Sequence, residues 1–157
     1  MGGNRLPSIP ELSKLRGDAA QGKVVFERPA SSCTLCHRIG NLGVDFGPAL
    51  SGIGAKLPKE AIFDSIINPN AGISMGFETT ELSLRGNSTA MGILRSETAQ
   101  EVVLALPGGA LQKFSTADIQ RRNKQTTSMM PSGLNQALTQ QDLVDLVEYL
   151  STQKAVK

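Results

Sequence analysis

Apolar positions recur at helical spacing towards both ends of this chain and alternate between them. TQQDLVDLVEYLSTQ (139–153) puts Leu143, Leu146, Val147 and Leu150 on one helical face, with Thr139 and Asp142 at capping-box spacing. GDAAQGKVVF (17–26) predicts a helix starting near Asp18, with Ala19, Val25 and Phe26 available to a core. Pro10 to Leu15 predicts a short helical turn with Pro near its first position. LPKEAIFDSIINP (57–69) predicts an amphipathic helix opened by Pro58 and closed by Pro69, with Ala61, Ile62, Phe63 and Ile66 facing inward.

Between the helices at 57–69 and 139–153 the period changes. FETTELSLRGNSTAMGILRSETAQEVVLALPGGALQKFS (77–115) alternates and is rich in Thr, Val and Leu. It breaks at Gly86-Asn87 and at Pro107-Gly108-Gly109, which predicts three or four antiparallel strands. DIQRRNKQ (118–125) predicts one more, and its Arg121, Arg122 and Lys124 suit a solvated edge. NLGVDFGPALSGIGAK (41–56) reads as a Gly-rich loop, too punctuated for regular structure. The expected architecture is helices at both ends with a β-insertion at about 77–125.

Length and composition narrow this picture. A chain of 157 residues fits one domain, here 17–157, preceded by an N-terminal extension over 1–16. Aromatics make up only 4% and Trp is absent, so the core is light and a large apolar cofactor would complete it. A net charge of +2 gives no case for nucleic acid, and no apolar run reaches the length of a transmembrane segment. MGGNRLPSIPELSKL lacks the apolar region and cleavage site of a secretory signal, and Met1-Gly2-Gly3 reads as a remnant before a mature chain or excised domain.

The chemistry is concentrated in SSCTLCHRIG (31–40), which holds both cysteines and the lone histidine. Cys33-Thr34-Leu35-Cys36-His37 is C-x-x-C-H, the attachment motif of c-type haem. Two thiols three residues apart on a tight turn can each add to one haem vinyl group. The following His then lies beneath the iron. A zinc site would need further Cys or His ligands that the chain lacks. A thioredoxin-like dithiol needs a preceding strand, where this sequence reads as helix and loop. One covalently bound haem c is therefore expected, through Cys33 and Cys36, with His37 on the metal. With no second His, a sixth ligand must be Met, another weak donor, or absent. Met75 lies in a loop, Met91 in a strand-like stretch, and Met129-Met130-Pro131 on an irregular segment before the last helix.

GDAAQGKVVF, C-x-x-C-H, GPALSGIG, Met-Pro and a terminal helix ending in YL together resemble a class I cytochrome c. The finer order of CHRIG, GPAL, IINPNAGISMGFE, the β-insertion, SMMPSGL and LTQQDLVDLVEYL is similar to the haem-binding domain family of planctomycete and verrucomicrobial secreted proteins, over about 17–152. The resemblance implies a mainly α class I cytochrome c fold, with a small antiparallel sheet inserted between the third helix and the Met-ligand loop. It also implies that the Met directly before Pro, Met130, is the distal ligand, while Met129 stands where Leu is usual. Pro48 would accept the second ring N–H of His37 through its carbonyl, and Leu50 and Ile53 would touch the haem.

One-electron transfer is the expected function, with a redox protein partner or a fused dehydrogenase domain, in a periplasmic or otherwise exported location. An open distal site would instead make a haem-based sensor or small-ligand-binding domain. A purely structural docking domain is the third class.

Overall fold

A computed structural model of the chain describes residues 5–155; the reading of Met1-Gly2-Gly3 lies outside them. The helices are α1 (Ile9–Ser13), α2 (Ala19–Glu27), α3 (Ile53–Lys56), α4 (Lys59–Ile67) and α5 (Gln140–Ser151). A two-stranded hairpin, β1 (Arg38–Ile39) and β2 (Leu42–Gly43), follows the C-x-x-C-H turn. Between α4 and α5 run β3 (Thr79–Leu84), β4 (Ser88–Glu97), β5 (Glu101–Ala105), β6 (Leu111–Ser115) and β7 (Ile119–Lys124).

Local chemistry explains the helix ends. Asp18 caps α2 by accepting from the Ala20 and Gln21 amides at 2.9 and 3.3 Å. Thr139 and Asp142 form both arms of the capping box on α5, at 3.0 and 3.1 Å. Pro58 stands just ahead of α4, whose Ile62, Phe63 and Ile66 are buried while Ala61 is half-buried. The region 41–56 is more ordered than its glycines suggested, since it holds β2 and α3. Backbone pairing with the chain after α5 fixes α3, through Gly54 N to Gln153 O at 2.8 Å and Ala155 N to Ser51 O at 2.9 Å.

α2 and α5 cross at a glycine. A Cβ at Gly22 would sit 1.9 Å from the Asp145 carbonyl oxygen, so only a residue without one allows this approach. Phe26 packs on Tyr149 beside it, with ring centroids 5.9 Å apart. The buried Asp145 carboxylate accepts from the Asp18 amide at 2.8 Å and from Gln141 Nε2 at 2.7 Å. Gly22→Ala is expected to destabilise the fold by at least ~1–3 kcal/mol through overpacking, read as a lower denaturant midpoint. The segment before residue 17 is also tied in: Leu12, at 0% exposure, joins the core of α2, α4 and α5.

The five longer strands form one antiparallel sheet in the order β6-β5-β4-β3-β7. Its chain reverses where Gly86 and Asn87, then Gly108 and Gly109, take left-handed backbone angles. β7 is the basic edge expected of it, with Arg122 paired to Glu97. Leu82, Val102, Leu104 and Phe114 give the sheet its own small core. Ile93 and Ala105 instead pack with Phe46, Cys36, Val44, Phe77 and Met129, which joins the sheet to the segment after the C-x-x-C-H turn.

Candidate haem site

The C-x-x-C-H turn is built from two short 3-10 turns, Pro29–Ser31 and Cys33–Leu35, joined by Ser32 in the left-handed region. The Cys33 carbonyl accepts from the Cys36 and His37 amides at 3.2 and 2.9 Å. That tight winding brings Cys33, Cys36 and His37 to the wall of one cavity. The two thiols are unbridged. Burial pushes the Cys33 thiol up to about 11 and raises Cys36 in the same direction. Both are therefore neutral thiols, unlike the depressed thiolates of dithiol oxidoreductases. Among the described residues, no group of three or more His, Cys, Asp or Glu side chains is placed to hold a metal ion.

His37 donates from Nδ1 to the Pro48 carbonyl oxygen at 2.7 Å. This bond fixes the tautomer and leaves the Nε2 lone pair free for a metal. Burial lowers the pKa of His37 against the opposing pull of the Pro48 bond, which keeps the imidazole neutral. The chain returns beneath the ring through the β1–β2 hairpin and the 2.6 Å bond from Gly47 N to Cys36 O. A Cβ at Gly47 would lie 2.9 Å from His37 Cε1, so the ring rests where a side chain would stand. Gly47→Ala is expected to displace the imidazole while leaving Cys33 and Cys36 in place. Its measurable sign is a changed ferric absorption spectrum on protein that still carries haem.

The rest of the cavity is mostly apolar. Leu50 and Ile53 line it, joined by Phe46, Leu57, Ile62 and Leu146. The space these side chains bound is open in part to solvent. Ser31, 2% exposed, also lines it with a hydroxyl that has no hydrogen-bond partner among the described residues. Unbridged thiols, an oriented imidazole, a missing Cβ and apolar walls are the features an attached haem c requires. The residues fit that group.

Of the candidate sulfurs, Met75 is 93% exposed and Met91 is 44% exposed on β4, and neither lines the cavity. Met129 and Met130 both do. Adjacent side chains in an extended segment point to opposite sides, so an extended backbone here would send one of the pair away from the cavity. Both residues instead occupy bends, so strict alternation does not apply. They lean to different walls: Met129 packs with Cys36, Phe46, Phe77 and Ile93, and Met130 packs against the helical core.

Sequence reasoning missed Phe46 and Arg95. Arg95 sits at a register shift between β4 and β5, and such bulges re-aim a side chain. Its Nη2 donates to the Asp45 and Phe46 carbonyl oxygens at 3.1 and 2.8 Å. The guanidinium also lies 5.9 Å from the centre of the Phe77 ring. One side chain thus fastens the sheet to the loop that leads into Pro48. No local signal marks it, because an arginine in a strand is ordinarily solvated.

Fold and site together are those of c-type cytochrome domains in kind: helices packed around an apolar cavity, with C-x-x-C-H in its wall. A family model described as cytochrome C oxidase, cbb3-type, subunit III matches residues 17–83, which supports that class and haem-based electron transfer by a covalently bound haem c. No curated protein matches the chain. The matched region runs from α2 through the C-x-x-C-H turn and α4 into β3.

Proposed function

We propose that this chain is a class I cytochrome c domain of the planctomycete and verrucomicrobial type, with its sheet inserted between α4 and the Met-bearing loop. One haem c is attached through Cys33 and Cys36, with His37 and Met130 as axial ligands. It exchanges single electrons with a redox protein partner or a fused dehydrogenase domain, in the periplasm or otherwise outside the cytoplasm. The observation that carries this reading is His37, oriented by Pro48 in an apolar cavity that two methionine side chains also line.

When bound, haem c supplies an Fe(III)/Fe(II) couple that cycles with little rearrangement. The chain's residues set its conditions. Pro48 holds the Nδ1 proton of His37, so Nε2 stays unprotonated and aimed. A soft Met thioether favours the reduced metal and raises the potential. Leu50, Ile53 and Phe46 give the site apolar walls. Among the described residues no helix is long and apolar enough to cross a membrane.

The test is an absorption spectrum and a voltammogram of protein matured with haem-attachment machinery. A Met-to-Fe(III) charge-transfer band with a reversible one-electron wave supports the reading. A ferric protein without that band, binding small ligands directly, turns it into a haem-based sensor.

The insertion supplies Ile93 of β4, and Phe77 just ahead of β3, to the cavity wall, so it covers one side of the site and steers which side a partner reaches. Arg95→Gln, which loosens the sheet from the Asp45-Phe46 loop, is expected to leave haem attached. It should change the electron-exchange rate with protein partners more than with a small reductant, measured by stopped flow. Equal rates across several partners would make the insertion a decoration.

A further inference from the structure

The segment from Gln125 to Ser132 carries both cavity methionines and has no regular structure of its own. A loop without an internal ladder opens at low cost, so its position must come from outside it. On its near side, Thr79 holds it twice. The Gln125 amide donates to the Thr79 carbonyl oxygen at 2.8 Å, and Thr79 Oγ1 donates to the Thr127 carbonyl oxygen at 2.8 Å.

Across the methionines themselves, among the described residues, the side-chain hydrogen bonds from outside the segment come from one amide. Asn70 Oδ1 accepts from the Ser128 amide at 2.7 Å, and Asn70 Nδ2 donates to Ser132 Oγ at 3.4 Å. Ser128 passes the constraint inward, because its Oγ accepts from the Met130 amide at 3.0 Å. Asn70 is itself well anchored. It follows Pro69, which lines the cavity, and the turn beyond α4 is closed by Asn68 N to Asp64 O at 2.7 Å and Ala71 N to Asn68 O at 3.0 Å. Asparagine suits the task because one planar group offers both an acceptor and a donor.

We propose that Asn70 is a positioning residue for the distal ligand: it brackets the Met129-Met130 bend and holds the Met130 sulfur against competing ligands. This rests on the reading of Met130 as that ligand. A thioether is a weak donor, so its hold on the iron depends on how rarely the loop opens. An external ligand binds only the open form, and its apparent affinity is scaled by the open fraction. Losing both bonds of Asn70 should raise that fraction about tenfold.

The experiment uses the ferric holoprotein and titrates imidazole while following the Met-to-iron band. Asn70→Ala is expected to bind imidazole about tenfold more tightly and to lose hydrogen-exchange protection at the Ser128 and Met130 amides. Asn70→Asp keeps the acceptor for Ser128 and should recover most of the difference. Ser132→Ala removes only the longer bond and should lie close to the unmodified protein. A role confined to overall stability would lower the unfolding midpoint without moving imidazole affinity. Unchanged affinity in Asn70→Ala, with the band present, overturns the inference alone. A missing band in the unmodified protein overturns the Met130 reading beneath it. If Asn70→Ala does not fold, Asn70→Ser, whose short side chain cannot make both bonds, decides: imidazole affinity raised about tenfold supports the inference, and unchanged affinity with the band present overturns it.

Discussion

Haem is expected to stay with the denatured polypeptide through acid–acetone extraction, once the protein has matured in an oxidising compartment with attachment machinery. The thiols of Cys33 and Cys36 are unbridged, and both line the cavity beside His37. Their raised pKa values mean that at neutral pH they enter the reaction as thiols, each able to add across one vinyl group. Two such thioethers replace an association that mass action can reverse with bonds that unfolding leaves intact. Cys33→Ala and Cys36→Ala should each give unstable or single-thioether product, and the double variant should release its haem into the organic phase. Intact haem extracted from the unmodified protein would overturn covalent attachment. An extract free of haem, from a protein whose metal analysis gave zinc, would revive the site that the scarcity of ligands argues against.

What could be read from the sequence was what residues a few positions apart decide. α5 shows its period, its cap and its buried face within one 15-residue stretch (139–153), and every residue named on that face is buried. The C-x-x-C-H turn is equally local. The hairpin turns at Gly86-Asn87 and Gly108-Gly109 were visible because left-handed backbone selects these residues. β7 was foreseen as a strand, but its return to pair with β3 was not, because nothing near it in sequence names its partner. The same limit hid α3, which depends on the chain beyond α5, and the burial of Leu12. At the site, the cysteines and histidine were legible, whereas Pro48, Leu50, Ile53 and Met130 came from resemblance. Arg95 and Asn70 were not legible at all. Each is a solitary polar residue whose partners lie 49 to 62 positions away.

Met130→Ala is expected to abolish the Met-to-iron charge-transfer band and to lower the reduction potential. The drop should be on the order of 0.1–0.3 V, a fraction of the ~0.8 V that axial ligands span. Its sign follows from softness: a thioether favours Fe(II), so a harder or absent ligand stabilises Fe(III). The structure makes the comparison with Met129 sharper, since both side chains line the cavity and neither lies free at the surface. Their packing differs. Met129 is lodged among Phe46, Phe77, Ile93 and Cys36, where it acts as filler between the sheet and the haem-attachment turn. Met130 lies against the helical core, with its amide fixed by Ser128 and Pro131 restricting its backbone. Met129→Ala should therefore leave the band and potential largely in place, while costing roughly 2–3 kcal/mol of stability for a partly buried side chain. Voltammetry and the ferric spectrum of the two variants, measured side by side, separate the roles. Loss of the band in Met129→Ala with retention in Met130→Ala would move the ligand one residue back and make Met130 the packing residue.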